Sequence, residues 1–167
     1  GSSKSSNGLP ATSGLTTVPA GGDDVIIGRI NPNYEITSFD TWMTYYGAID
    51  NDRGTAIAYT STAGGRLAVC GLSGSPTNLL VQPMGDSWTM EGYNLLALFN
   101  PVSGERTYST RLPHANYVST EDMGRPSDLD YDDAGNLYLV GYDWIMGSFF
   151  NDHVTGPAGS ADYTSQA

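Results

Sequence analysis

From Asp24 onward the apolar side chains come in short runs closed by Gly, Pro, Asn, Asp or Ser, and the three-to-four spacing of an amphipathic helix nearly vanishes. The pattern predicts strands at Val25 to Ile30, Asp40 to Tyr46, Thr55 to Thr60, Leu67 to Gly71, Leu95 to Phe99, Arg106 to Arg111, Ser127 to Tyr131 and Leu137 to Tyr142. The punctuation between them has turn chemistry. Proline fixes φ for a type I turn in Asn31-Pro32-Asn33 and in Asn100-Pro101-Val102-Ser103-Gly104, where Gly104 can take the positive φ that closes a hairpin. Asp132-Asp133-Ala134-Gly135-Asn136 reads the same way, with Gly135 in the left-handed position.

These strands come twice. Val25 to Pro32 returns as Leu95 to Pro101, with Asn31 and Asn100 sixty-nine positions apart. Gly65-Arg66-Leu67-Ala68-Val69-Cys70-Gly71 returns as Gly135-Asn136-Leu137-Tyr138-Leu139-Val140-Gly141 at an offset of seventy. Two landmarks in the same order and at nearly the same spacing imply an internal duplication of a β unit. The expected architecture is therefore all-β: two related four-stranded antiparallel units, built like propeller blades or packed as a β-sandwich. Unit one covers 24–72 and unit two 93–145, joined by a loop at 73–92 within a domain of 23–150. Residues 1–22 hold almost no large apolar side chain and read as a flexible Ser/Gly/Thr-rich arm, and residues 151–167 as a Gly/Ala/Ser-rich tail. Within the arm, Leu15, Thr16, Thr17 and Val18 form an extended stretch suited to adding onto an exposed sheet edge.

Composition narrows the partners. Charged residues are only 15% and the net charge is −11, so a phosphate backbone or an anionic membrane surface is repelled, while divalent cations and basic partners are favoured. No window approaches the roughly 18 to 20 apolar residues of a membrane span. Scarce charge with abundant Gly, Ser, Thr, Asn and Tyr resembles extracellular and coat proteins, which places the chain outside the cell or on its surface. The one cysteine, Cys70, sits in an apolar run and reads as a small buried hydrophobe.

The segment Arg125-Pro126-Ser127-Asp128-Leu129-Asp130-Tyr131-Asp132-Asp133-Ala134-Gly135-Asn136-Leu137-Tyr138-Leu139-Val140-Gly141 resembles the recurring hairpin of β-propeller repeats of the NHL, SMP-30 and SBBP kinds. Leu95 to Arg111, with Asn100-Pro101 then Gly104-Glu105, resembles the other half of the same blade. The first unit departs from the pattern, because Tyr59-Thr60-Ser61-Thr62-Ala63-Gly64-Gly65 is longer and lacks the aspartates. A closed propeller takes at least about four blades, and two units are present. The resemblance therefore implies part of a longer protein, a ring closed by several copies, or two sheets packed as a sandwich.

The candidate chemistry is sparse. Asp128, Asp130 and Asp132 alternate with Leu129 and Tyr131, which puts three carboxylates on one strand face with Asp133 next to them. An EF-hand is excluded, since Asp133 stands where the loop glycine belongs and Leu139 where the bidentate Glu belongs. A different oxygen-ligand site for Ca²⁺ at these four residues competes with a solvated sheet face and turn capping. Asp23-Asp24 and Asp50-Asn51-Asp52 offer weaker versions. His114 and His153 have no ligand-like spacing, and Gly71-Leu72-Ser73-Gly74-Ser75 lacks the second glycine of a nucleophile elbow. With no catalytic constellation the reading leans away from an enzyme. Trp42, Tyr45, Tyr46, Trp88, Tyr142 and Trp144 are candidate ligand or interface aromatics, against the alternative that they fill a core short of Leu and Phe. The leading expectation is a structural or adhesive subunit of an extracellular assembly, self-associating through sheet edges and the N-terminal arm, with Ca²⁺ as a candidate cement. The second is a carbohydrate-binding propeller fragment that stacks glycans on Trp and Tyr. The third is part of a propeller enzyme of lactonase or lyase type.

Overall fold

The computed structural model describes residues 1–4, 16, 18–31, 41–74, 94–111 and 125–142. Among these residues nine strands run in chain order: β1 (Ser2–Ser3), β2 (Asp24–Arg29), β3 (Trp42–Tyr46), β4 (Asp52–Thr60), β5 (Arg66–Ser73), β6 (Asn94–Phe99), β7 (Arg106–Arg111), β8 (Arg125–Tyr131) and β9 (Leu137–Tyr142). Among the described residues the sole helical element is a 3-10 turn at Thr62–Gly64 in the β4–β5 connection. The molecule is all-β and every strand pairing is antiparallel.

Three sheets stack as layers. The middle one has the order β4-β5-β6-β7; β1-β2-β3 covers one of its faces and β8-β9 the other. On the first face Val25, Ile27, Trp42 and Tyr46 pack against Val69, Leu95, Ala97 and Phe99. The Tyr46 and Phe99 rings meet edge to face at 5.5 Å, and the Arg106 guanidinium lies 5.4 Å from the Tyr46 ring centre. On the second face Leu129 and Leu137 close over Ala58, Ala68 and Cys70. The small side chains there let the β8–β9 hairpin come close, and burial of Cys70 to 0% exposure agrees with its reading as a small hydrophobe.

The duplication is visible strand by strand. β2, β3, β4 and β5 correspond in order to β6, β7, β8 and β9, and each unit forms two hairpins. An irregularity of pairing recurs at the same place: β4 slips between Gly54 and Ala56, opposite Gly71, and β8 slips between Pro126 and Asp128, opposite Gly141. The units join where β5 of the first pairs with β6 of the second, with Cys70 opposite Leu96. Each unit therefore gives two strands to the middle sheet.

The turns behave as their residues dictate. Asn100 Oδ1 accepts from the amides of Val102 and Ser103 at 2.8 and 3.1 Å, and Gly104 takes φ +73°. Asp132 Oδ1 accepts from the amides of Ala134 and Asn136 at 3.0 and 2.8 Å, and Gly135 takes φ +84°. The arm lies on its own chain where it is described. Gly1 and β1 follow β2 from Ile26 back to Asp24, and the Thr16 carbonyl accepts from the Tyr45 amide at 3.0 Å.

Candidate functional site

The structure separates the four aspartates of the acidic hairpin. Asp128 and Asp130 lie on β8, both exposed, and each turns one oxygen to the amide of the following residue, Leu129 at 2.9 Å and Tyr131 at 2.8 Å. Asp132 leaves that face for the turn. Besides the two amides on Oδ1, its Oδ2 accepts from Asn136 Nδ2 at 2.8 Å and from the Tyr138 hydroxyl at 3.1 Å. The Asn136 side chain foremost, with these other donors, holds its carboxyl below the usual aspartate range. Asp133 is an exposed turn residue. Among the described residues no three His, Cys, Asp or Glu side chains converge as metal ligands would. What Asp132 does is cap the hairpin.

The aromatic candidates divide differently. Trp42, Tyr45 and Tyr46 are buried and cannot present a surface to a glycan or a partner. Both faces of β3 are covered: Trp42 and Tyr46 enter the first core, Tyr45 is buried on the opposite face, and the Thr16 carbonyl meets the Tyr45 amide at the edge of the strand. Trp42 Nε1 donates to the Pro101 carbonyl at 3.0 Å, which ties unit one to the Asn-Pro turn of unit two. Burial pushes the Tyr46 hydroxyl pKa up. Tyr142 ends β9 opposite Arg125. Trp88 and Trp144 lie outside the described residues, as do Leu15 and Thr17 of the arm, while Val18 is exposed.

The weaker acidic pairs are the ones that meet. Asp24 and Asp52 are both fully buried, and a methyl group on Gly47 would sit 2.0 Å from Asp24 Oδ1 and 2.7 Å from Asp52 Oδ2, so both carboxylates converge beside that glycine. Asp24 Oδ2 accepts from the Ala20 amide at 2.6 Å, and Asp52 Oδ2 from the Ala48 amide at 2.8 Å. Among the described residues Asp24 Oδ1 has no hydrogen-bond partner. Burial raises the Asp24 carboxyl pKa, and the neighbouring Asp23 adds to the rise. The sequence signal was an aspartate placed directly before an apolar strand, where its carboxylate is drawn in with Val25.

The remaining feature is an edge. β9 pairs with β8 on one side, and among the described residues no strand pairs with its other side. Tyr138 and Val140 are 61% and 60% exposed on this strand, whereas Ala68 and Cys70, their counterparts on β5, are both 0% exposed. Nothing in the local sequence distinguished these positions. Only the duplication, laid over the sheet order, shows that β9 lacks what β5 has. Among the described residues no helix is long and apolar enough to cross a membrane. No protein-family model, curated protein or solved structure matches this chain.

Proposed function

We propose that this chain is a structural or adhesive subunit that self-associates through its sheet edges outside the cell or at a cell surface. The observation that supports this reading is the outer side of β9, an apolar strand without a strand partner among the described residues. Unpaired, flat, apolar edges template the addition of further strands, and proteins that stay single blunt them with charge, proline or bulges. β9 reads Leu-Tyr-Leu-Val-Gly-Tyr and carries none of these. The low charge content and extracellular-type composition give the setting. Ca²⁺ enters as an accessory ion, bridging Asp128 and Asp130 of one copy to carboxylates of another.

The test is molar mass by light scattering over a hundredfold range of concentration, with and without chelator. Mass that grows with concentration is expected. A constant monomer mass throughout overturns the proposal, and growth that ignores the chelator removes Ca²⁺ from it.

A further inference from the structure

We infer that the partner of the β9 edge is β2 of a second copy of this chain, added in the register by which β5 pairs with β6 inside one copy; this rests on the self-association proposed above. The argument begins with which edges are open. Among the described residues no strand pairs with the outer side of β3, β7, β4 or β8, although the Thr16 carbonyl takes the Tyr45 amide beside β3, so these strand-free edges are common to both units. In strand pairing the two units differ at one junction among the described residues. β5 is paired with β6, whereas their counterparts β9 and β2 end the series: β9 is open and β2 is covered by the two-residue β1.

The faces make the same point. Inside the molecule Leu129 of β8, 5% exposed, packs on the side of the middle sheet carrying Ala58, Ala68 and Cys70. The β4 counterpart of Leu129 is Ile57, since Ile57 faces Val69 across its hairpin as Leu129 faces Leu139. Ile57 and its neighbour Tyr59 are 55% and 58% exposed. One end of the molecule thus exposes Ile57 and Tyr59, the docking face of a unit. The other end exposes Tyr138 and Val140, with Asp130 and Asp128 opposite them on β8 where unit one has Ala58 and Ala56, and this is the receiving face. Each is the surface the other covers in the internal junction, so the contact is heterologous and head to tail, and copies close into a ring or extend as a filament.

The register follows from the internal one. Cys70 opposite Leu96 and Ala68 opposite Leu98 translate to Val140 opposite Ile27 and Tyr138 opposite Arg29 of the second copy. Parity is preserved: Val140 lies on the receiving face of β9, and Ile27 lies on the face of β2 turned toward the middle sheet. Gly1 to Ser3 occupy β2 from Asp24 to Ile26, the stretch that Gly141 and Tyr142 would take, so the arm guards this edge and leaves it when β9 arrives.

Two surface variants of the full chain test this, with circular dichroism to confirm that each is folded. Ile57→Asp spoils the docking face and Val140→Asp the receiving face. Each alone is expected to lower the apparent association constant at least about tenfold, from a charge desolvated in an apolar contact. Mixed one to one they are expected to form a dimer and stop there, because each retains the surface the other needs. A double variant, Arg29→Cys with Tyr138→Cys, is expected to give a ladder of disulfide-linked oligomers on mild oxidation, since directly opposed strand residues have the Cα spacing a disulfide requires. Wild-type chain that associates while both aspartate variants associate equally well, or a mixture that grows past the dimer, overturns the register and leaves self-association standing. A wild-type chain that never associates overturns both.

Discussion

At the scale of single residues, the buried carboxylates set the clearest expectations. Asp24 is ionisable, fully buried and has one oxygen without a donor among the described residues, so its proton is held more tightly in the folded chain than in the unfolded one. The folded state therefore binds more protons as pH falls through the raised pKa, and this group adds stability on acidification that is complete below the ordinary aspartate value. Asp132 acts with the opposite sign. Its carboxyl is held low, so its contribution is present above the ordinary value and is lost as pH falls through the lowered one. Asp24→Asn keeps an acceptor for the Ala20 amide and supplies donors beside Asp52. It should raise the thermal midpoint at pH 7 by about 2 to 4 °C, the scale of one net hydrogen bond in a chain this long, and the gain should shrink toward pH 4. Calorimetry of both chains across that range decides it: an advantage that grows on acidification contradicts the assignment. Asp132→Ala should lower the midpoint at pH 7 and speed amide exchange at Asn136, whose amide loses its acceptor. Neither role was legible from composition. Four aspartates in one hairpin looked like a cluster, whereas the backbone turn removes Asp132 from the strand face, and the carboxylates that do meet lie far apart in sequence.

At the scale of elements, apolar runs and turn residues located eight strands to within a few residues, because short half-buried strands between Gly, Pro and Asx turns leave little else for those side chains to do. β1 escaped, since Ser2 and Ser3 carry no apolar pattern and pair through backbone groups alone. The aromatics of β3 were candidates for a surface because alternation distinguishes inside from outside only on a strand with one wet face, and both sides of β3 are covered. The β5–β6 pairing was also beyond reach, because the two strands are not joined as a tight hairpin and no turn residues announce their register. A structural position that repeats makes a sharp test here. Gly71 lies opposite the β4 slip, and a Cβ added to it would come 2.0 Å from the Arg53 carbonyl oxygen. Backbone cannot yield as a flexible side chain does, so Gly71→Ala must push β4 away from β5. The expected loss is on the order of 3 kcal/mol in denaturant unfolding. A change under about 0.5 kcal/mol, the scale of an ordinary surface substitution, would show that the strands are farther apart than described.

At the scale of the molecule, the layering makes the thiol of Cys70 a reporter on whether unit two is seated. Cys70 lies in the middle sheet under Leu129, 0% exposed, and burial raises its thiol pKa, so in the closed molecule it is both covered and poorly nucleophilic. A thiol reagent reaches it only when the β8–β9 hairpin lifts from β4 and β5 or when the whole chain unfolds. These routes can be told apart, because stability is not uniform across a structure whose outer layer is a two-stranded hairpin resting on one small core. Leu129→Ala removes the side chain that closes that core and should cost about 2 to 4 kcal/mol of seating energy, which raises the labelling rate by roughly thirty- to a thousandfold. Ile57→Ala deletes a similar group at the corresponding position of unit one, but that side chain is exposed and borders no part of the Cys70 core, so the labelling rate should stay within about twofold of the original. If both variants accelerate labelling equally, opening is global and the layers unfold together. If only Leu129→Ala does so, unit two is a separately opening layer. The face it uncovers is then the one that Tyr138 and Val140 repeat at the open end of the molecule.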